Sequence, residues 1–380
     1  NENMQLSAYD TDEARVGWGA SASESWRRVI ENDFIAGEFV WTGFDYLGEP
    51  TPWNGIGTGS VSGHGAKPNS SYFGIIDTAG FPKDTYYYYH SVWKDDEPTL
   101  HLMPTWNKEN LKLDENGNVR VDVFTDAKKV SLYLNGKEIA SDEATLHTTE
   151  AGYTYRRFAS TDHKKPYASF NIKYEPGELT VRAWDDNGNE ITDKAVGRKS
   201  VATYGQATQL KARVTRTELT ADGRDLAYVE VDVLDAEGRL VDNASQRVEF
   251  NVEGQGTLVG VDNGDPTDTD GYKAENRKAF GGKALGIVQT TNRAGEITVT
   301  VSAEGLQSDT ITLSTKAQQT NQDKNLRSYV LANTFYTTVD RPVRLPQVIN
   351  GRFSNNEEKD LSVTWDQMDE SKYKQPGEWS

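Results

Sequence analysis

Cysteine is absent from the 380 residues of the chain. Its absence excludes disulfides, zinc sites with thiolate ligands and thiol nucleophiles. Long apolar runs are missing as well, and without about 18 consecutive apolar residues no segment is suited to cross a bilayer as a helix. Basic residues are in the minority: 41 Lys and Arg stand against 58 Asp and Glu, for a net charge of −17. Because such a field repels nucleic acid and anionic membrane surfaces, a neutral ligand is the partner class left open.

The residues that are present indicate several folded domains, the first of them α/β. Hydrophobic residues make up 36% of the chain, and at about 100–200 residues per domain the length predicts roughly two to four domains. Residues 21–31 have helical spacing with Ser21 or Ser23 as a candidate N-cap. The short apolar runs 39–41 and 73–77 are typical of buried parallel strands. Pro82 stands where a second helix would begin.

Residues 1–94 therefore read as the end of a larger α/β domain, because a complete one needs several more such units. Within the second predicted helix, one apolar stripe is formed by Tyr86, Tyr89, His90 and Trp93. The same spacing predicts that His90 is packed rather than a metal ligand.

Beyond Trp93 the apolar pattern changes to a period of two, which is typical of β-strands. Val119, Val121 and Val123 alternate with polar residues, and Asn135-Gly136 is a type I′ hairpin signal. The pattern predicts a β-sandwich at 95–203, an immunoglobulin-like sandwich at 204–316, a linker at 317–327 and an incomplete immunoglobulin-like domain at 328–380.

The segment 37–53, GEFVWTGFDYLGEPTPW, concentrates aromatic and acidic residues. They are Trp41, Phe44, Tyr46 and Trp53 together with Glu38, Asp45 and Glu49. Aromatic faces stack on the C–H face of a sugar while carboxylates accept from its hydroxyls, so the segment suits carbohydrate binding. The alternative is a buried strand followed by a loop with structural aromatics.

Other motifs favour structural roles. The glycine-rich loop 54–65 lacks the Lys-Ser/Thr ending of a phosphate loop. Asp262, Asp265, Asp268 and Asp270 suggest calcium, but the EF-hand spacing fails and a structural turn is favoured. Trp106 and Trp184 fill the core or form a sugar-binding surface, and the core is favoured. We predict no metal site and no cofactor.

Two stretches, AGEFVWTGFDYLGEPTPW and SSYFGIIDTAGFPKDTYYYYHSVW, closely resemble the last part of the (β/α)8 barrel of glycoside hydrolase family 2 β-galactosidases. YEPGELTVRAWD and RKAFGGKALGIVQTT resemble the β domains that follow that barrel, and VRLPQVINGRFSNNEEKDLSVTW is similar to bacterial immunoglobulin-like repeats in Gram-positive surface enzymes. The implied fold class is multidomain, with the C-terminal remnant of a (β/α)8 barrel followed by immunoglobulin-like all-β sandwiches.

The resemblance implies a retaining glycosidase that uses two glutamates. In the family both come from earlier barrel strands, so they are expected upstream of residue 1 and the chain alone is predicted to be inactive. Trp41 is expected against the galactose in the innermost subsite, and Trp53 and Phe73 at the rim of the leaving-sugar subsite. Asp45 and Glu49 either bond sugar hydroxyls or brace the loop, and bracing is favoured.

The sequence thus predicts the C-terminal part of a β-galactosidase that acts on β-galactoside oligosaccharides or glycans and needs the remainder of its catalytic barrel. No nucleic-acid partner and no membrane insertion are expected. An extracellular, cell-surface or cell-wall location in a Gram-positive bacterium is implied by the same resemblance. The alternatives are another family 2 specificity such as β-glucuronidase, or a non-catalytic glycan-binding surface module.

Overall fold

The computed structural model describes residues 20–48, 70–160, 165–317, 326–331, 339–341, 343, 345–354, 357–365, 371 and 374. The chain divides into two compact units, Asn1–Lys316 and Ala317–Ser380. Strands dominate the described part of both. Among the described residues, no helix has the length and apolar character needed to span a bilayer.

Helix α1 (Ala22–Glu31) forms where the helical spacing predicts it, and Ser21 is its N-cap. The Ser21 side chain accepts from the backbone N–H of Glu24 at 3.4 Å, which satisfies one of the free N–H groups of the first turn. Trp26 is buried on the inner face of the helix and packs edge-on against Tyr155, with ring centroids 5.6 Å apart. The structure confirms Ser21 as the N-cap. The cap could be predicted from sequence because capping depends on neighbouring residues.

Helix α2 (Asp84–Trp93) begins two residues after Pro82, with Lys83 as its N-cap residue. The predicted apolar stripe is confirmed in part: the side chains of Tyr89 and His90 are buried as expected. Trp93 is about half exposed, however, and Tyr88, outside the predicted stripe, is fully buried. The cause is tertiary, since Tyr88 packs edge-on against Phe124 at 5.6 Å and Tyr167 at 6.3 Å. These rings belong to the first sandwich and determine which face of α2 is covered.

The strands predicted at 39–41 and 73–77 do not form as regular strands in the described residues. The Phe39 side chain is fully exposed, and the residue that forms a parallel bridge with Ile76 is Phe44, which lies beyond the predicted first strand. The Asp45 N–H donates to the Ile76 carbonyl at 2.9 Å, and the Ile76 N–H donates to the Gly43 carbonyl at 3.0 Å. A strand covered on both faces needs partners on both edges, and these two segments pair chiefly with each other. The barrel remnant therefore stays a prediction.

The first sandwich contains nine strands and a short 3-10 helix, Lys108–Asn110. The strands are β1 (Leu100–Met103), β2 (Asn118–Thr125), β3 (Lys129–Leu134), β4 (Lys137–Glu143), β5 (Thr145–Thr148), β6 (Thr154–Arg157), β7 (Tyr167–Lys173), β8 (Glu178–Trp184) and β9 (Ser200–Ala202). They form sheets in the orders β1-β2-β7 and β4-β3-β8-β9, with β5 and β6 as a separate hairpin.

The core of this sandwich confirms the alternating pattern. Val121 and Leu132 are fully buried between the sheets, and Asn135 and Gly136 have φ values of 51° and 79°, as a type I′ turn requires. Trp106 fills the core, where its Nε1 donates to the Glu175 carbonyl at 2.9 Å. Trp184 differs from the prediction: it is only half-buried, because it ends β8 beside the charged side chains of Lys129 and Arg182.

The second sandwich also contains nine strands among the described residues. They are β10 (Gln209–Arg213), β11 (Glu218–Ala221), β12 (Leu226–Leu234), β13 (Arg247–Gly254), β14 (Gly256–Asp262), β15 (Asn276–Lys278), β16 (Lys283–Thr290), β17 (Gly295–Ser302) and β18 (Asp309–Ala317). The sheet orders are β10-β12-β16-β14 and β11-β18-β17-β13-β15. Val229, Val248 and Ile297 are fully buried between the two sheets. Mostly antiparallel pairing around one apolar core is the architecture of an immunoglobulin-like sandwich.

The second unit, described by itself, has one antiparallel sheet in the order β19-β20-β21. Its strands are β19 (Leu326–Val330), β20 (Val348–Phe353) and β21 (Glu358–Ser362). Most of the predicted linker at 317–327 lies outside the described residues.

Candidate functional site

Trp41 displays its indole ring on the surface of the first unit, with 70% of the residue exposed. Its Nε1 donates to the Tyr46 hydroxyl at 3.1 Å, and the peptide bond that follows it, to Thr42, is cis. The Thr42 N–H donates to the Phe73 carbonyl at 3.2 Å. The ring is thus held in place by neighbouring residues while its surface stays accessible, which is the arrangement that stacking on a ligand requires.

Large exposed apolar side chains are concentrated around Trp41. Five of them lie within residues 34–47: Phe34, Phe39, Trp41, Phe44 and Leu47. Exposed apolar side chains scattered singly are normal, but a concentration of this kind marks a contact surface.

Asp45 is buried and faces Lys83, whose Nζ lies 2.7 Å from the Asp45 carboxylate. The other carboxylate oxygen accepts from the Gly74 N–H at 2.7 Å. Lys83 Nζ also lies 3.5 Å from the centre of the Tyr72 ring and donates to the Tyr72 carbonyl at 3.3 Å. Both oxygens of Asp45 are therefore engaged by the protein, which favours the bracing alternative over a direct bond to a sugar.

Burial dominates the electrostatics of this pair. It raises the pKa of the Asp45 carboxyl and lowers the pKa of the Lys83 ammonium, and in each case the partner opposes the shift. Gly74 makes the close approach possible, because a Cβ there would lie 2.1 Å from the Asp45 backbone nitrogen.

Asp77 marks the place where the N-terminal segment meets the second sandwich. Its Oδ1 accepts from the Phe81 N–H at 2.9 Å, and a Cβ added to Gly264 would lie 2.1 Å from its Oδ2. Burial raises the pKa of Asp77 to about 7, and the negative charges of Asp262 and Asp45 add to the shift. Phe81 also joins a small apolar cluster with Leu285 of β16.

An open cavity of about 350 Å³ lies beside this contact. Its lining residues are Phe44, Asp45, Tyr46, Leu47, Thr78, Asp262 and Tyr272. The first five belong to the N-terminal segment and the last two to the second sandwich. Among these described lining residues, rings and carboxylates are present, and no Lys or Arg is.

The remaining predicted site residues are placed unevenly. Phe73 is half-buried, and its position at the leaving-sugar rim stays a prediction. Glu49, Trp53 and the glycine-rich loop 54–65 lie outside the described residues. Glu38 accepts from the Ser25 hydroxyl of α1, so one of its carboxylate oxygens is engaged by the protein.

The acidic cluster at 262–270 is arranged around an arginine. Arg277 is fully buried, and its guanidinium lies 3.0 Å from the Asp268 carboxylate and 3.8 Å from that of Asp262. Its Nη1 donates to the Asp270 carbonyl at 2.6 Å. Among the described residues no group of three or more His, Asp or Glu side chains is placed to hold a metal ion. The arrangement agrees with the predicted structural turn.

Sequence patterns gave no signal for a second charged cluster, at the foot of α2. His101 Nε2 lies 2.5 Å from Asp84 Oδ1, and Arg198 Nη2 lies 3.1 Å from the same oxygen. The Tyr87 ring stacks on His101 at 3.9 Å. Burial lowers the pKa of His101 to about 4, so the ring is neutral at physiological pH. The cluster attaches α2 to the first sandwich, and its members are too far apart in sequence to form a local motif.

Known proteins resemble the two sandwiches and the segment before them. Residues 210–312 match the family model described as glycoside hydrolase family 2 C-terminal domain 5, and residues 116–192 match a domain of unknown function, DUF4982. The β-galactosidase BoGH2A of Bacteroides ovatus is 36% identical over 317 residues, which are 83% of this chain and 32% of that protein. A β-glucuronidase of Formosa agariphila is 24% identical, over 63% of this chain and 22% of that protein.

Among solved structures, a β-glycosidase from Bacteroides vulgatus superposes with a TM-score of 0.63 at 26% identity, over 81% of this chain and 34% of that one. The fold and these matches correspond to the β-rich C-terminal region of family 2 glycoside hydrolases. The chain belongs to glycoside hydrolase family 2. It spans about a third or less of the length of the relatives it matches.

Proposed function

We propose that the full-length natural protein to which this chain belongs is a retaining β-galactosidase, and that Trp41 forms one wall of its galactose pocket. The observation that carries the proposal is the exposed indole of Trp41, held by its hydrogen bond to Tyr46. The resemblance to the B. ovatus β-galactosidase over most of the chain supports it.

Charge supports a neutral galactoside over a glucuronide. A glucuronide carries a carboxylate that needs a cation or several N–H donors when it is buried. Asp45 and Asp262 line the cavity, and the ammonium of Lys83 is already paired with Asp45. The net charge of −17 acts in the same direction.

The geometry of the N-terminal segment supports a place in a (β/α)8 barrel. The parallel bridge between Phe44 and Ile76 is the pairing that successive barrel strands make, and α2 follows the second of the two segments. Phe34 and Phe39, which are exposed in this chain, would then pack against the rest of the barrel, whereas Trp41 would face the pocket. Both catalytic glutamates would come from residues outside this chain, so the chain alone would be inactive.

The test compares hydrolysis of 4-nitrophenyl β-galactoside and 4-nitrophenyl β-glucuronide by the full-length natural protein. We expect the galactoside to have the higher kcat/KM. Faster cleavage of the glucuronide would replace this proposal with the β-glucuronidase alternative, which several relatives represent. The isolated 380-residue chain serves as the control and should release no nitrophenol from either substrate.

A further inference from the structure

We propose that the second sandwich takes part in substrate recognition: Tyr272 and Asp262 form the outer side of a subsite for a neutral sugar on the leaving-group side of the galactose. This inference rests on the proposed function and deepens it. The occupant is one sugar unit of a β-galactoside oligosaccharide, joined to the galactose by the bond that is cleaved.

The cavity lies between Tyr46, the hydrogen-bond partner of Trp41, and the second sandwich. Tyr46 accepts the hydrogen bond from the Trp41 indole and also lines the cavity, and Tyr272 lines it from the second sandwich. A ligand that stacks on Trp41 and extends past Tyr46 therefore reaches a surface made by two parts of the chain. The volume of about 350 Å³ lies at the low end of small-molecule sites, which run from about 300 to 1,000 Å³. It suits one sugar unit better than a longer chain.

Tyr272 has the position and rigidity of a stacking residue. Its backbone carbonyl accepts from the Val261 N–H at 2.8 Å, which ties the loop to β14. The buried guanidinium of Arg277 lies 5.0 Å from the centre of the Tyr272 ring. The residue is nevertheless 37% exposed, so part of its ring remains available to a ligand. A ring held in advance loses little freedom when a sugar stacks on it.

Asp262 supplies a fixed acceptor beside that ring. Its Oδ1 accepts from the N–H groups of Asn263 at 2.7 Å and Gly264 at 3.3 Å. Its Oδ2 has no hydrogen-bonding partner among the described residues. A carboxylate oriented in this way can accept from a sugar hydroxyl. Although the Arg277 guanidinium lies 3.8 Å from its Oδ1, Asp262 offers no N–H donor to a sugar that carries its own carboxylate. Together the two residues select a neutral saccharide.

The experiment measures substrate selectivity in the full-length natural protein. The two substrates are lactose, whose glucose would occupy the proposed subsite, and β-galactosyl fluoride, whose leaving group is too small to reach it. For Tyr272→Ala we expect the ratio of kcat/KM for lactose to that for galactosyl fluoride to fall about tenfold. Tyr272→Phe keeps the ring and should retain most of the ratio.

Tyr228→Ala is the matched control. Tyr228 is an exposed tyrosine of the same sandwich, on β12, and is not among the cavity residues. It should leave the ratio unchanged, and the melting temperatures of all variants check that the sandwich is folded. An unchanged ratio in Tyr272→Ala, or an equal fall in Tyr228→Ala, would overturn the subsite. If the wild-type protein cleaves neither substrate, the proposed function fails and the subsite fails with it.

Discussion

The ammonium of Lys83 lies 2.7 Å from the carboxylate of Asp45, and both side chains are almost fully buried. Asp45 follows Trp41 by four residues, and Lys83 is the residue from which α2 starts. The pair therefore fixes the loop that carries Trp41 to the helix that packs on the first sandwich. Removal of one partner should destabilise the fold strongly, because a buried charge without a partner has a large desolvation cost.

Lys83→Met should destabilise the chain by about 3–5 kcal/mol, because it leaves the Asp45 carboxylate buried without a cation. Urea denaturation measures the change in the free energy of unfolding. The double variant Lys83→Met with Asp45→Leu should recover much of the loss. Lys94→Met, which breaks an exposed ion pair with Asp96, is the control and should change little. Equal effects of the Lys83 and Lys94 substitutions would contradict the structural role given to the buried pair.

In the full-length natural protein, Trp41→Ala should reduce kcat/KM for a β-galactoside by about 10- to 100-fold, because the stacking surface for the sugar is lost. The melting temperature should not change, since the indole is mostly exposed. Trp365→Ala is the control, because it removes an exposed tryptophan of the second unit. Wild-type activity in Trp41→Ala would remove Trp41 from the site.

Asp77 should give the contact with the second sandwich a characteristic pH dependence. Burial raises its pKa from 3.8 to about 7, so between these values the folded state binds more protons than the unfolded state. The free energy of unfolding must then fall as the pH rises through this window. At about 1.4 kcal/mol per pKa unit, the fall is up to about 4 kcal/mol.

Asp77→Asn removes that titration while it keeps the acceptor for the Phe81 N–H. Urea denaturation at pH 4.5, 6 and 8 should show a variant that gains stability relative to the wild type as the pH rises. The comparison with the wild type cancels the opposite contribution of His101, whose lowered pKa makes the protein lose stability as the pH falls. If the free energy of unfolding depended on pH in the same way in both proteins, the pKa of Asp77 would not be raised.

Local signals in the sequence predicted the elements that depend on neighbouring residues. The Ser21 cap of α1 and the Asn135-Gly136 turn are settled within four residues of chain, and both formed as predicted. The buried face of α2 was predicted only in part: Tyr89 is buried as expected, but Tyr88 is covered by rings that lie far along the chain. Periodicity reports which residues share a face but not which face finds a partner.

The candidate site shows the same limit. Its aromatic and acidic residues are evident from composition, and the place of Trp41 in a sugar site stays a prediction. Lys83 and Tyr272 were missed, since the first is 38 positions from Asp45 and the second belongs to another domain. Contacts between residues so distant leave no pattern in a single sequence.

We expect the acidic turn at 262–270 not to bind calcium, because the guanidinium of Arg277 occupies the place that a cation would take. Because its guanidinium already lies against the carboxylates of Asp262 and Asp268, millimolar calcium should not raise the melting temperature of the wild-type chain. Arg277→Met should lower the free energy of unfolding by about 3–5 kcal/mol at neutral pH, because it leaves buried carboxylates unpaired. Arg247→Met is the control, since Arg247 reaches Asp270 from a partly exposed position and should have a smaller effect. A clear rise in melting temperature with calcium in the wild type would instead favour the ion-binding alternative.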